Sequence, residues 1–514
     1  MTEQSRVENS IKNVSITFVV QIVSYILVFI SRTFFVKLLG NDYLSLNGLF
    51  SNIITLLSFT DLGIGSAVVY CLYKPIAEND TPKILALIRF FKKIYSIITI
   101  IVLVLGACLI PFLHYLVDLE TVSGISDNIY IIYYLFVINT AFSYILTYKK
   151  SFLTACQKNY VVNVIHYSVY AIQLLIQIII LTVSHNYILY LLVQLLCTLL
   201  TNVISSKYVD RKYPNILMKS DSEVSIDEKK DIWNNVGSMF FYKIGSVVLN
   251  GTDNIIISTL IRTSFVGLCS NYTLIIQAIN NTLSMCFNSI AASVGNLTVT
   301  ESPKRQEEVF YQLDLLAFMM FGFCSICLGV LLNPLINIWF GKEYLLNQTV
   351  VASLVAAFYF TGINQASYLF RTATGLFKQA KVYPFLAAVA NIVLSIILAK
   401  MIGLAGVFIA TAIVRIVFFM IVDTCLIYKH VFKKTSILYY VNFIVKALVI
   451  SSGYVITNFI ISRCEIHNFV SLVLYAIVCA MISAFYILIW CSWNPVFKTL
   501  FRKIIQSFFV REKH

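Results

Sequence analysis

The chain of 514 residues is 59% hydrophobic and 12% charged, with a net charge of +14 and a mean hydropathy of +0.84. Soluble domains run at roughly 45–50% apolar and about 25% charged, so composition excludes an ordinary soluble protein and implies a membrane solvent. Apolar runs of about 20 residues, enough to cross hydrocarbon as a helix, recur along the whole chain and leave no room for a folded soluble domain.

Ahead of the first run, residues 1–13 mix Glu3, Arg6, Glu8 and Lys12. That run continues past the 7–15 residues of a signal-peptide core, so it is expected to stay attached as a spanning helix. Windows bounded by charges and turn residues place about fourteen spans in all. The first six cover residues 14–39, 46–73, 94–117, 129–152, 162–184 and 187–206. A polar stretch at 207–232, containing Pro214, reads as a linker. Six more spans follow at 233–261, 265–297, 315–336, 350–376, 382–400 and 404–428, then two at 437–461 and 469–490. The expected fold is therefore an all-α integral membrane protein. It has a lobe at 1–206, a linker at 207–232, a second lobe at 233–430, and two further helices with a tail at 431–514.

Lys and Arg are retained on the cytoplasmic side of membrane proteins. One set of alternate loops holds basic clusters such as Lys83, Arg89, Lys92 and Lys93, then Lys149, Lys150 and Lys158, then Lys207, Arg211 and Lys212. The other set holds only Arg262, Lys342, Lys400 and Arg463, a ratio of about seven to one that places both termini in the cytoplasm. The positive net charge is topological, and no nucleic-acid partner is expected. Twelve cysteines, including the Cys324/Cys327 pair, lie mostly inside apolar runs. They read as small packing residues, not as metal ligands.

Sliding the chain on itself at an offset of about 220 residues aligns Asn13–Val14 with Asn235–Val236, and Thr154 and Lys158 with Thr374 and Lys378. Polar residues at i, i+4, i+7 and i+11 line one side of a helix. The first span carries Gln21, Ser24, Tyr25 and Arg32 in such a stripe; at the repeat register the seventh carries Lys243, Ser246, Asn250, Asp253 and Asn254. The eighth adds Thr273, Gln277, Asn280, Asn281, Ser284 and Asn288. Such faces are costly against lipid. Interhelical hydrogen bonds explain any single residue, whereas stripes in corresponding places predict a shared wet cavity. Among charges inside the spans, Asp61, Asp253, Lys243 and Arg32 are candidate cavity residues. Arg415 and Asp423 lie two turns apart on the twelfth span, with Asp423 near enough to the inner end to be simply solvated. Lys149 and Arg371, near cytoplasmic ends, fit the positive-inside bias and would equally suit a cationic entrance. Lys446 and His166 have no stripe partner.

Residues 32–50 (RTFFVKLLGNDYLSLNGLF), 57–67 (LSFTDLGIGSA) and 73–77 (YKPIA), with Thr252-Asp253-Asn254 before Ile-Ile-Ile-Ser, resemble the polysaccharide-exporter branch of the multidrug/oligosaccharidyl-lipid/polysaccharide (MOP) superfamily. They are similar to Wzx-type flippases of O-antigen and capsule assembly. Asp61 stands where the family often has Glu, and Ser45 where Gly is common. The resemblance implies two six-helix lobes enclosing a V-shaped cavity, alternating access in the bacterial cytoplasmic membrane, and an undecaprenyl-diphosphate-linked oligosaccharide as cargo. It implies contact with membrane lipids and with other polysaccharide-assembly proteins. No cofactor is implied beyond a coupling proton or sodium ion, and no catalytic residue. On this reading Arg32, Lys243, Arg371 and Lys149 face phosphate, and Gln21, Tyr25, Asn250, Asn254, Gln277, Asn281 and Asn288 face sugar hydroxyls, while Asp61 and Asp253 couple the ion. The rivals are a cation-coupled multidrug exporter of the same fold and a membrane polysaccharide polymerase. The exporter would favour an acidic, aromatic cavity, and the polymerase would need a catalytic constellation outside the membrane. No G-x-x-x-x-G-K-[ST] phosphate loop is present.

Overall fold

In hydrocarbon no water is available to backbone N–H and C=O groups, so each crossing segment must satisfy its own, as a helix does. The structure is a computed structural model that describes residues 3–58, 64–117, 124–156, 158–214, 224–226, 229–230, 232, 247–249, 251–376, 379, 382–461 and 468–499. All regular structure among them is helical.

Two compact units divide the chain, Met1–Gly267 and Leu268–His514. The first holds α1 (Glu3–Leu57), α2 (Ile64–Glu78), α3 (Thr81–Leu109), a 3-10 turn (Ile110–Phe112), α4 (Leu113–Leu116), α5 (Ile129–Tyr144), α6 (Thr147–Ala155), α7 (Asn159–Ser184), α8 (Tyr187–Lys212) and α9 (Asp253–Leu260). The division falls inside α10 (Thr263–Ser289). The second unit continues with α11 (Ala291–Thr300), α12 (Pro303–Trp339), α13 (Gln348–Ile363), α14 (Gln365–Ala373), α15 (Tyr383–Ile402) and α16 (Leu404–Val414). A π turn (Arg415–Ile421), α17 (Val422–Ile427), a second π turn (Tyr428–Phe432), α18 (Ile437–Ile461) and α19 (Phe469–Ser492) complete it.

Among the described residues ten helices are long and apolar enough to cross a membrane, or eleven if the bent pair α5 and α6 counts as one span. The fold of about fourteen expected helices holds, and the smaller number of apolar spans has physical reasons. The first and second spans meet at Gly40, where a φ of 80°, open to glycine at little cost, breaks the course of Glu3–Leu57 into two helices. Much of the expected seventh span lies outside the described residues. The eighth, α10, is helical but its polar stripe makes it less apolar than the other spans. Two helices also start well before the apolar windows: α3 at Thr81, capped by Asp80, and α12 at Pro303, capped by Ser302. Their first turns carry Lys83 and Lys304 to Glu308, charges that hydropathy reads as loop but a helix projecting past the membrane accommodates.

Each unit has its own apolar core. In the first, Phe91, Tyr95, Phe152 and Leu153 knit α2, α3 and α6 together. In the second, the Phe310 ring meets Phe370, Phe432 and Tyr439 at centroid distances of 5.3, 5.5 and 5.7 Å. The expected linker at 207–232 does not coincide with the division at Gly267. Residues 253–267 belong to the first unit, where Ser258 donates to Leu116 O at 2.6 Å. Asn41 Nδ2 donates to Ser264 O at 2.8 Å, and Gly267 N to the fully buried Ser45 Oγ at 3.0 Å. The serine that departs from the family pattern is thus a hydrogen-bonding joint.

Candidate functional site

Within the first unit a cavity of about 210 Å³ opens between α1, α7 and α8, and of the α1 stripe Arg32 lines it. Its polar lining comes from Ser31, Arg32, Asn47 and Ser51 of α1, Tyr170, Gln173 and Gln177 of α7, and Tyr190 and Gln194 of α8. Phe35, Leu44, Phe136 and Leu174 supply apolar walls. The walls are held in place by their own bonds: Gln177 Nε2 donates to Tyr190 O at 3.0 Å, and Tyr187 OH to Asn47 Oδ1 at 3.1 Å. Phe35 packs edge-on against Tyr187 and Tyr190, at 5.6 and 5.4 Å. Among the described residues the lining contains one permanent cation, Arg32, and no carboxylate. At about 30 Å³ per water, the space holds roughly seven waters, enough for a diphosphate or one sugar ring. A guanidinium offers a planar fork of donors that matches phosphate or carboxylate oxygens, and amides and phenols match hydroxyls.

Arg32 lines this cavity within the first unit, whereas the sequence reading expects it in a cavity shared by the two lobes. Gln21 and Tyr25 lie higher on the same helix, with Gln21 Nε2 donating to Tyr25 OH at 2.8 Å, and do not line this cavity. Lys243, Asn250 and Asp61 lie outside the described residues. Asp253 and Asn254 open α9, half-buried in the first unit, and neither lines the cavity. Gln277, Asn281 and Asn288 are exposed on α10. The sequence reading missed the α7 contribution, although Tyr170, Gln173 and Gln177 follow the i, i+3, i+7 spacing that reveals such faces.

Lys149 and Arg371 prove to be ion-pair residues. In the first unit the bent pair α5 and α6 meets at 45° around Leu146, a left-handed residue with φ of 65°. Asn202 of α8 donates to Phe142 O at 2.8 Å, satisfying a carbonyl at the break. One and two turns further along α8, Ser206 and Asp210 accept from Lys149 Nζ at 2.8 Å and at 2.6 and 2.8 Å. All three ammonium donors are thus taken up, which replaces the expected phosphate contact. In the second unit α13 and α14 meet at Asn364. Arg371 of α14 places Nε 2.9 Å from Asp423 Oδ1, and Asn364 Nδ2 donates to Asp423 Oδ2 at 3.2 Å. Asp423 is 3% exposed, so the expectation of simple solvation is corrected. Its cationic contact is Arg371 on another helix, while Arg415 stacks over Phe419 at 5.2 Å. Both units thus pair a cation on a short nine-residue helix after a break with an acid on a later helix. Lys446, without a partner in the sequence reading, bonds to Asp314.

Structural comparison gives the class. The lipid II flippase MurJ in an inward closed conformation superposes with a TM-score of 0.66 at 16% identity, over 93% of this chain and 98% of that one. The MATE multidrug transporter DinF-BH in complex with R6G gives 0.58 at 16% identity, over 84% and 97%. An inward-facing MATE-family multidrug resistance transporter of the MOP superfamily gives 0.56 at 13%, over 80% and 96%. No curated protein sequence matches significantly. The fold is that of MOP-superfamily transporters and flippases, a multi-pass membrane fold. Residues 10–294 match the polysaccharide biosynthesis protein family, and the chain belongs to that family.

Proposed function

We propose that this protein is a flippase of the bacterial cytoplasmic membrane, with both termini cytoplasmic, that carries an undecaprenyl-diphosphate-linked oligosaccharide from the inner to the outer leaflet by alternating access. Proton or sodium coupling drives it, with Asp61 and Asp253 as coupling candidates, and the product feeds O-antigen or capsule assembly. A diphosphate and a hydrated glycan cannot enter hydrocarbon unaided, whereas a polyprenyl tail can remain in lipid. The observation that carries this reading is the Arg32 cavity, whose described lining holds one guanidinium, a set of amides and phenols, and no acid. It suits the anionic or hydroxyl-rich head of such a lipid, one ring or one diphosphate at a time. The exposed amides Gln277, Asn281 and Asn288 on α10 support it, because an amide face against acyl chains is costly.

Deleting the gene and locating the lipid-linked oligosaccharide tests the proposal. Accumulation on the cytoplasmic leaflet is expected. Unchanged glycan display together with accumulation of cationic dyes would instead establish the multidrug-exporter reading, which a cavity with no acid in its described lining disfavours.

A further inference from the structure

A second polar system runs along α12 in the C-terminal unit. Glu307, Tyr311 and Asp314 recur at i, i+4 and i+7 and so share one side of the helix. At its wet end lies a cavity of about 770 Å³, whose lining includes Glu307, Glu308, Tyr311, Gln312 and Lys434. Lys434, 59% exposed, donates to Glu307 Oε2 at 2.6 Å, so the mouth is in water. Lys304, Arg305, Lys429 and Lys433 surround this end in sequence, the basic signature of a cytoplasmic face.

At the dry end Asp314 and Lys446 are 3% and 6% exposed. Lys446 Nζ donates to Asp314 Oδ2, and Tyr439 OH donates to Oδ1 at 3.0 Å. Phenols fill the distance between the two ends. Tyr311 OH lies 2.5 Å from Tyr428 OH, and the Tyr428 and Tyr439 rings are 6.0 Å apart. Among the described residues Tyr359 of α13 also lies near Asp314 and Cys491 of α19 near Lys446, while Arg371 of α14 and Asp423 of α17 hold each other. A pin that merely fastens α18 to α12 needs the ion pair. It needs neither the phenols of Tyr311, Tyr428 and Tyr439 beside it nor an open cavity beyond them.

We propose that Asp314 is a proton-binding site of the transport cycle, loaded from the basic face through Glu307, Tyr311, Tyr428 and Tyr439. The inference rests on the ion-coupled transport reading and adds to it the place where the proton binds. In the loading step a hydronium in the cavity gives its proton to the first oxygen of the line. Tyr311 and Tyr428 each accept on a lone pair and pass their own proton on, a water carries it from Tyr428 to Tyr439 by accepting one proton and releasing another, and Tyr439 in turn delivers its own to Asp314 Oδ1. Asp314 becomes a neutral acid, Lys446 keeps its proton, and the site gains one positive charge with no change of oxidation state. A buried ammonium without a counter-ion is unfavourable, so loading biases α18 against its seat on α12.

Infrared difference spectroscopy of the full-length protein in liposomes, following the carboxylic-acid C=O band across a pH titration in H2O and D2O, tests the site. The expected result is a band that grows as pH falls, shifts in D2O, and is lost in Asp314→Asn combined with Lys446→Met, a pair of changes that leaves no buried charge alone. Asp314→Glu, which keeps the ion pair, should move the band without abolishing it, and serves if the double variant does not fold. Absence of a titrating band in the unaltered protein, its persistence in the double variant, or its loss in Asp423→Asn with retention in Asp314→Asn would overturn the proposal. The band is read without cargo. Failure of the flippase reading, seen as unchanged glycan display on gene deletion, is therefore a separate result.

Discussion

Arg371 Nε lies 2.9 Å from Asp423 Oδ1, with side chains only 3% and 5% exposed, and this pair repeats in the C-terminal unit the arrangement of Lys149 and Asp210 in the N-terminal one. In both, a span breaks, a nine-residue helix follows, and its cation reaches an acid further along the same unit. Removing one partner of a buried ion pair typically costs about 3–5 kcal/mol, while replacing both by apolar groups is often neutral. Arg371→Met is therefore expected to destabilise the protein by about that amount, and Arg371→Met with Asp423→Leu to recover most of the loss. Thermal unfolding in detergent or lipid, with the two single variants and the double compared, checks it.

Lys149→Met should cost less, about 1–3 kcal/mol, because Asp210 is 29% exposed and can regain water. The same unfolding measurement applies. A loss equal to that of Arg371→Met would contradict the difference in burial.

Arg32→Ala should leave the fold intact and weaken glycan export roughly tenfold or more, the worth of a hydrogen bond to a charged group. Arg32→Lys should restore only part of it, since an ammonium lacks the guanidinium fork. Surface polysaccharide per cell, normalised to protein in the membrane, is the readout. Full activity of Arg32→Ala would remove the cavity from the mechanism.

At Gly267 a Cβ would stand 2.5 Å from Asn41 Oδ1 and Ser45 Oγ and 2.7 Å from Asn41 O. The backbone oxygen cannot swing aside as a side chain can. Gly267→Ala should destabilise the N-terminal unit by about 1–3 kcal/mol, while Gly295→Ala, where nothing lies within 4 Å, should cost little. Comparing the two unfolding temperatures decides it.

The α-helical membrane class, the positions of the helices and the polar face that contains Arg32 were all legible in the residues. Each follows from local properties: hydropathy over a window, helical period and turn residues. The lengths of α3 and α12 were not, since their charged first turns look like loop until their helical course is seen. The cavity was half legible. Arg32 announced itself by ending a stripe, and the Tyr170, Gln173 and Gln177 face of α7 could have been found by the same spacing. The ion pairs could not. Lys446 and Asp314 are 132 positions apart, and pairing depends on which helices pack side by side.

Taken by itself, then, the sequence determined that this chain would meet a membrane as a set of helices, because burial in hydrocarbon is decided segment by segment. Only the tertiary structure decided which of the described charges inside those helices hold one another, as Arg371 and Asp423 do, and that Arg32 lines a polar cavity. A lone charge in apolar surroundings carries a cost that any of several distant residues could relieve, and packing alone selects among them.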